Sequence, residues 1–246
     1  MPLFTYDLHV HSCLSPCGSD DMTPNNIAGM SMLNGVQIAA LTDHNSAQNC
    51  PAFFSACRQY GIVPIAGMEL TTQEEIHMVC LFPSLESAMN FDAFIQDHRM
   101  KIKNRPKIFG NQLIMNEEDE IVGEIEELLI TATDLDLTSA AKAVREFGGV
   151  PFPAHIEKSS NSVLAMLGIF PEEPNFTAAE LHDVSKLEEL KKSNPILNNL
   201  KIISDSDAHQ LESLPLELPK IELDCDENDE NSIRNALITY LSDNKK

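Results

Sequence analysis

Apolar and polar residues alternate along Phe4-Thr5-Tyr6-Asp7-Leu8-His9-Val10-His11. A strand with that period puts Phe4, Tyr6, Leu8 and Val10 on one face and His9 and His11 on the other. A polar loop follows. Thr23-Pro24 then opens a helix as N-cap and first-turn proline, and Gly35 closes it. Gln37 to Thr42 is apolar enough for a buried strand and ends at Asp43-His44. The spacing next predicts a helix from about Ser46 to Tyr60, stopped by Gly61, and a strand from Ile62 to Gly67 with Glu69 just past its end. Ile76 to Phe82 is strand-like, with His77, Val79 and Leu81 facing one way, and Ser84 to about Lys103 is helical. Thr138 caps a helix that runs to Gly148, and Val150 to Ala154 is a proline-interrupted strand ending at His155. Ala178 to Leu181 and Leu200 to Ser204 are short strands. Asn231 to Leu241 is an amphipathic helix with Ile233, Leu237 and Leu241 on one face.

Strand and helix alternate about seven times, which argues for a parallel α/β barrel or a doubly wound sheet. One stretch departs from the alternation. Leu113-Ile114-Met115, an acidic turn over Asn116 to Glu120, and Ile121-Val122 predict a β-hairpin, part of an insertion at about 104–137. No linker rich in Pro, Gly or Ser divides the chain, so residues 1–246 are expected to form a single domain. His9, His11, His44, Glu69, His155, Asp207 and His209 all fall at or just beyond the carboxyl ends of predicted strands. In a parallel barrel those ends meet on one rim, where active sites form.

Charge and composition narrow the function. The chain carries 38 acidic against 17 basic residues, a net charge of −21, with no Trp and three Tyr. That balance disfavours anionic membranes and nucleic acid other than short nucleotides. A small phosphorylated substrate would need positive charge inside the site, which metal ions can supply. No stretch approaches the ~18 apolar residues of a membrane span, and the start lacks the basic and apolar regions of a signal peptide. Six irregularly spaced cysteines point to reduced thiols and a cytoplasmic protein.

Each chemical motif is weak alone. His9-Val10-His11 aims two rings the same way, as two ligands of one metal require, yet also fits two histidines ending a strand by chance. In Asp43-His44, the histidine suits a ligand and the aspartate an orienting partner, while a turn and a helix cap, taken alone, explain the pair better. Glu69 has two oxygens with which to bridge two ions, but a lone glutamate before a loop is ordinary. His77, amid apolar residues, has the surroundings of a core histidine. Asp207-Ala208-His209 repeats the period-two logic with oxygen and nitrogen ligands. Cys13 and Cys17 suit small loop residues better than ligands. His98 sits in a charged helix, and His182, ending a strand, is placed to line a cavity.

Together, HxH, DH, Glu, two single histidines and DxH form an order that resembles the polymerase and histidinol phosphatase (PHP) superfamily. The resemblance runs from Asp7-Leu8-His9-Val10-His11-Ser12 through Leu41-Thr42-Asp43-His44-Asn45 and Gly67-Met68-Glu69 to Ser206-Asp207-Ala208-His209. It implies a distorted (β/α)7 barrel carrying two or three divalent ions, with Zn, Mn or Fe suited to such ligands. One ion would be held by His9, His11, Glu69 and Asp207. A second would share Glu69 and add His77 and His155. A third would take His44, His209 and an acidic residue from the loop after HxH, for which Asp20 and Asp21 are the candidates.

The resemblance also implies a basic residue meeting phosphate at Lys158. Arg105, in the basic cluster Lys101 to Lys107, is a second candidate for that role. The expected activity is metal-assisted hydrolysis of a small phosphorylated metabolite, such as a phosphomonoester, nucleotide or sugar phosphate. Glu69 would be the bridge, His209 would ease departure of the leaving group and Asp43 would orient a ring. A metal-dependent amide or ester hydrolase and a non-catalytic metal-binding module are the alternatives.

Overall fold

The computed structural model describes residues 1–243. Its strands are β1 (Leu3–Asp7), β2 (Ile38–Leu41), β3 (Val63–Thr71), β4 (His77–Phe82), β5 (Leu113–Met115), β6 (Ile121–Glu124), β7 (Val150–Pro153), β8 (Ala178–Glu180), β9 (Lys201–Ile203) and β10 (Lys220–Glu222). The helices are α1 (Pro24–Asn34), α2 (Cys50–Tyr60), α3 (Leu85–His98), α4 (Pro106–Phe109), α5 (Leu137–Glu146), α6 (Val163–Leu167), α7 (Leu187–Ser193) and α8 (Glu230–Ser242).

Alternation of strand and helix builds the expected α/β fold, with the hairpin β5–β6 standing apart from the main sheet. That sheet is curled and mixed, in the order β10-β1-β2-β3-β4-β7, and β8-β9 form a separate parallel pair. β1, β2 and β3 run parallel, whereas β4 is antiparallel to both β3 and β7. The reversal has a short cause. Only Thr72 to Ile76 separate β3 from β4, too few residues for the crossover that parallel neighbours need. It also relocates His77. Thr71 pairs with His77 in the register, so the first residue of β4 stands beside the carboxyl end of β3 rather than mid-strand.

Several boundaries shift for local reasons. β1 ends at Asp7, and beyond it Val10 bridges Ala208, so His9 and His11 sit in irregular chain past the strand. Phe4, Tyr6 and Leu8 keep their common face, while Val10 turns into the other core. Thr23 caps α1 through Asn26 N as expected, but Asp136, not Thr138, caps α5 by accepting from Ser139 N at 2.9 Å.

The sheet buries both faces. One carries Phe4, Tyr6, Leu8, Ile38, Ile65, Leu81 and Phe152 and is closed by Ile233, Leu237 and Leu241 of α8, the stripe the periodicity predicted. The other packs Leu41, Met68, Met78 and Phe82 against α1, α2, α3 and α5. Among the described residues no helix is long and apolar enough to cross a membrane.

Candidate metal centre

Glu69 is the hub. It lies near the end of β3, is buried, and five imidazole nitrogens approach its two oxygens. Oε1 lies 3.0 Å from His77 Nδ1, 3.2 Å from His155 Nε2 and 3.3 Å from His9 Nε2. Oε2 lies 3.0 Å from His44 Nδ1 and 3.3 Å from His11 Nε2. Asp207 joins from the far end of the chain, its Oδ1 3.3 Å from His11 Nε2 and 3.5 Å from His9 Nε2. His209 stacks on His11 with ring centroids 4.1 Å apart.

Backbone geometry delivers these groups at some strain. Asn45, His155, Asn161 and Asp207 all have positive φ, between 30° and 54°, a region non-glycine residues rarely occupy. The turn after His44 is pinned by Asn45, whose Oδ1 accepts from Thr71 N and whose amide donates to the carbonyls of Leu129 and Thr131. Behind it, buried Asp92 accepts from Ser46 Oγ, Ala47 N and Arg99. Gly67 is required by close approach, since a Cβ there would sit 2.8 Å from Thr42 Cγ2 and 2.9 Å from the Cys80 carbonyl oxygen.

The hydrogen-bond network fixes which ring nitrogens face the centre. His9 Nδ1 donates to Glu180 Oε2 at 2.6 Å, which turns Nε2 toward the centre. Ser15 Oγ donates its proton to Asp43 Oδ1 at 2.7 Å, so it accepts from His11 Nδ1 at 2.9 Å, and His11 Nε2 likewise faces the centre. His9 Nε2 and His11 Nε2 stand 3.1 Å apart. His209 Nδ1 donates to the Asp207 carbonyl at 2.8 Å. Burial, then the charge of His11, lowers the pKa of His44 to about 3, and the same two causes lower that of His209 to about 4, so both rings are neutral near pH 7.

The carboxylates stay charged. Burial pushes the Glu69 carboxyl up, but His77, His9 and His44 outweigh it and hold it well below the usual range; His9 and His11 do the same for Asp207. Burial likewise opposes charge on His9 and His11, yet the carboxylates around them prevail, raising His9 well above its ordinary value and His11 to about 9. Imidazole nitrogens and carboxylates therefore converge on one point, and Asp207 Oδ1 and His44 Nδ1 are buried without a hydrogen bond. This donor set fits metal ions. Three groups each bring their donor atoms within 4.8 Å of one another: His9, His11, Glu69 and Asp207; His44, Glu69 and His77; and His11, His44 and His209.

Two sequence candidates lie elsewhere. The carboxylate of Asp20 is exposed and accepts from Asn111 Nδ2 at 2.8 and 3.0 Å, and Asp21 is exposed, its carbonyl accepting from Asn26. The loop after HxH closes in tight turns, Ser15 N to Ser12 O and Gly18 N to Ser15 O, which carry Ser15 rather than either aspartate inward. His155 reaches Glu69 but falls outside the three tight groups. Arg105 opens α4 on the surface and lines no part of the centre, and His182 is exposed and lines none of it either. His98 pairs with Asp134. Cys13 is buried and Cys17 exposed, and neither joins a donor group.

Asp43 takes Ser12 N, Ser12 Oγ and Ser15 Oγ, so it orients His11 through Ser15. Lys158 hydrogen-bonds Asp207 Oδ2 and lines a cavity of about 170 Å³ with His44, Glu69, His77, His155 and His209. Glu180, which ends β8, was not legible as a site residue. A lone glutamate in the apolar run Ala178-Ala179-Glu180-Leu181 was the available signal, and the structure buries it fully.

Fold and donor set define a candidate metal centre on a curled α/β half-barrel. The family profile of the PHP domain matches residues 7–161, more than half of the chain, and the chain belongs to that family. No curated protein matches it. Among solved structures it is similar to the lesion-specific endonuclease Q of Pyrococcus furiosus, with TM-score 0.65 and 18% identity over 98% of this chain and 57% of that one. The chain thus spans little more than half the length of that endonuclease. It is also similar to a protein of Bifidobacterium adolescentis provisionally described as a metal-dependent phosphoesterase (TM-score 0.59, 18% identity, 94% and 95% covered). A third neighbour is an amidohydrolase from Chromobacterium violaceum with bound sulfate (TM-score 0.57, 16% identity, 84% and 88% covered).

Proposed function

We propose that the chain is a phosphoesterase that hydrolyses small phosphorylated molecules, and that His9, His11, His44, Glu69, His77, His155, Asp207 and His209 hold its ions. The observation that carries this reading is Lys158, a cation at the mouth of a cluster of imidazoles and carboxylates inside a chain of net charge −21. Uncharged amide substrates have no need of it, whereas a phosphate has. The cavity, about 170 Å³, is smaller than the ~300–1,000 Å³ usual for whole ligands. It suits a phosphoryl group with the rest of the substrate outside.

Bound divalent ions would supply positive charge for the phosphoryl oxygens and lower the pKa of water. The chain's own groups do the rest. Glu69 sits between the donor groups and holds them in one register, Lys158 leaves Asp207 to meet a phosphate oxygen, and Glu180 and Ser15 fix the tautomers of His9 and His11. His209, partly exposed at the cavity, would ease departure of the leaving oxygen through the ion it holds or, with no ion there, by passing a proton once protonated. The insertion at 104–137 belongs to the same domain as a cap over this rim, and the six unpaired cysteines fit a reducing, cytoplasmic setting.

The test is phosphate release from a panel of phosphomonoesters, nucleotides and a lesion-bearing oligonucleotide, with Mn²⁺ and with a chelator. Chelator-sensitive release from small monoesters is expected. Turnover of amides alone would replace the proposal with the amide hydrolase, and turnover of the oligonucleotide alone would give it a nucleic-acid substrate.

A further inference from the structure

Beside the metal cavity lies a larger groove of about 690 Å³ whose outer wall is the insertion. It is lined on one side by Met100, Ile102, Phe109, Leu128 and Ile130, and on the other by the β3–β4 turn. Met100, Ile102 and Phe109 are 47%, 48% and 38% exposed, so these apolar side chains face an open space that the chain does not fill. Asn161 lines both the groove and the metal cavity. Its carbonyl accepts from His77 N and its amide donates to the Glu75 carbonyl, which fixes it as the shared wall between them. Two carboxylates, Glu75 and Asp134, lie along the groove, and among the described residues no Lys, Arg or His lines it.

We propose that this groove is the subsite for the leaving group, and that the centre acts on phosphate monoesters of bulky, mainly apolar, uncharged alcohols. The inference rests on the phosphoesterase reading above. A phosphoryl group over Glu69 has room for little else in its own cavity, and the adjoining space past Asn161 is of the size usual for a small organic ligand. Glu75 and Asp134 on the wall, with no Lys or Arg among the described lining residues, select against a second phosphate, which sets aside nucleoside polyphosphates and bisphosphates. In the reaction an oxygen of water bonds to phosphorus, the bond from phosphorus to the alcohol oxygen breaks, and that oxygen takes up one of water's protons. No other reactant is consumed.

Two esters differing in the alcohol, naphthyl phosphate and glycerol phosphate, provide the kinetic test, with free naphthol as the binding probe. The chain has no Trp, so naphthol fluorescence is read against little background. We expect kcat/KM to favour naphthyl phosphate by about tenfold or more, mainly through KM. Naphthol should bind the metal-free protein, and Ile102→Glu and Phe109→Glu should each weaken that binding and shrink the preference about tenfold by placing charge against an apolar ligand. Both positions are exposed, so melting temperature should hold. Equal turnover of the two esters, no naphthol binding, or variants that change neither readout would overturn the proposal. Hydrolysis of no phosphoester, with naphthol bound and both variants weakening it, would overturn the phosphoesterase reading and the substrate class with it, and leave only an apolar ligand groove.

Discussion

Replacing Glu180 with Gln probes how the centre is organised without touching any group that faces the ions. Glu180 is fully buried, and among the described residues the only hydrogen bond of its side chain runs to His9 Nδ1 at 2.6 Å, short enough to be charge-assisted. A hydrogen bond to a charged group contributes about 1.5–3 kcal/mol and a neutral one about 0.5–1.5 kcal/mol. The substitution therefore removes roughly 1–1.5 kcal/mol of orientation and basicity from His9, which corresponds to about tenfold weaker metal binding. Glu180→Ala leaves the ring nitrogen unpartnered in the interior and should reach the upper end of the 10–100-fold range typical of such orienting groups. The pH dependence has a definite sign. Glu180 also stabilises the protonated His9 that metal must displace, so removing it helps metal at low pH and hurts once His9 is neutral. The deficit should grow as pH rises. Titration against a chromophoric chelator at several pH values measures it, with far-ultraviolet circular dichroism to confirm the apo fold. Wild-type affinity at every pH, with native dichroism, would refute the argument that His9 is held by this contact.

Glu69→Gln keeps the shape of the hub but replaces one oxygen by an amide that cannot accept; we expect fewer ions per chain by elemental analysis and turnover reduced at least about a hundredfold, and full activity would remove the bridging role. Lys158→Met should raise the concentration of inorganic phosphate needed for half-inhibition about tenfold or more, from the loss of a charge-assisted contact, while unchanged inhibition would place phosphate elsewhere. Asp92→Ala strips Arg99 of its buried partner, 3.0 Å away, and unties the turn after His44; a loss of about 3–5 kcal/mol is expected, or roughly 6–20 °C in Tm for a chain of this size by calorimetry. Gly67→Ala forces a methyl group against Thr42 and the Cys80 carbonyl, which should destabilise by about 1–3 kcal/mol.

Much of the site was legible because its signals are local. Period two in His9-Val10-His11 and Asp207-Ala208-His209, and single polar residues after apolar runs at His44, Glu69 and His155, follow from chain geometry and survive without tertiary information. The α/β alternation, the hairpin of β5 and β6, and the apolar stripe of α8 were legible for the same reason. Long-range packing decided the rest. Periodicity carries no strand direction, so the reversal of β4 was hidden in a five-residue turn, and with it the placement of His77 on the rim. Loop reach is set by turns that close within the loop, which is why Ser15 faces the site while Asp20 and Asp21 stay in solvent. Which buried carboxylate meets which ring depends on pairing over 171 residues, from His9 to Glu180, and no local pattern encodes a separation of that size. The sequence by itself determined which residue types could gather at one end of the strands; only the tertiary structure decided which of them share Glu69, because that depends on how the sheet curls.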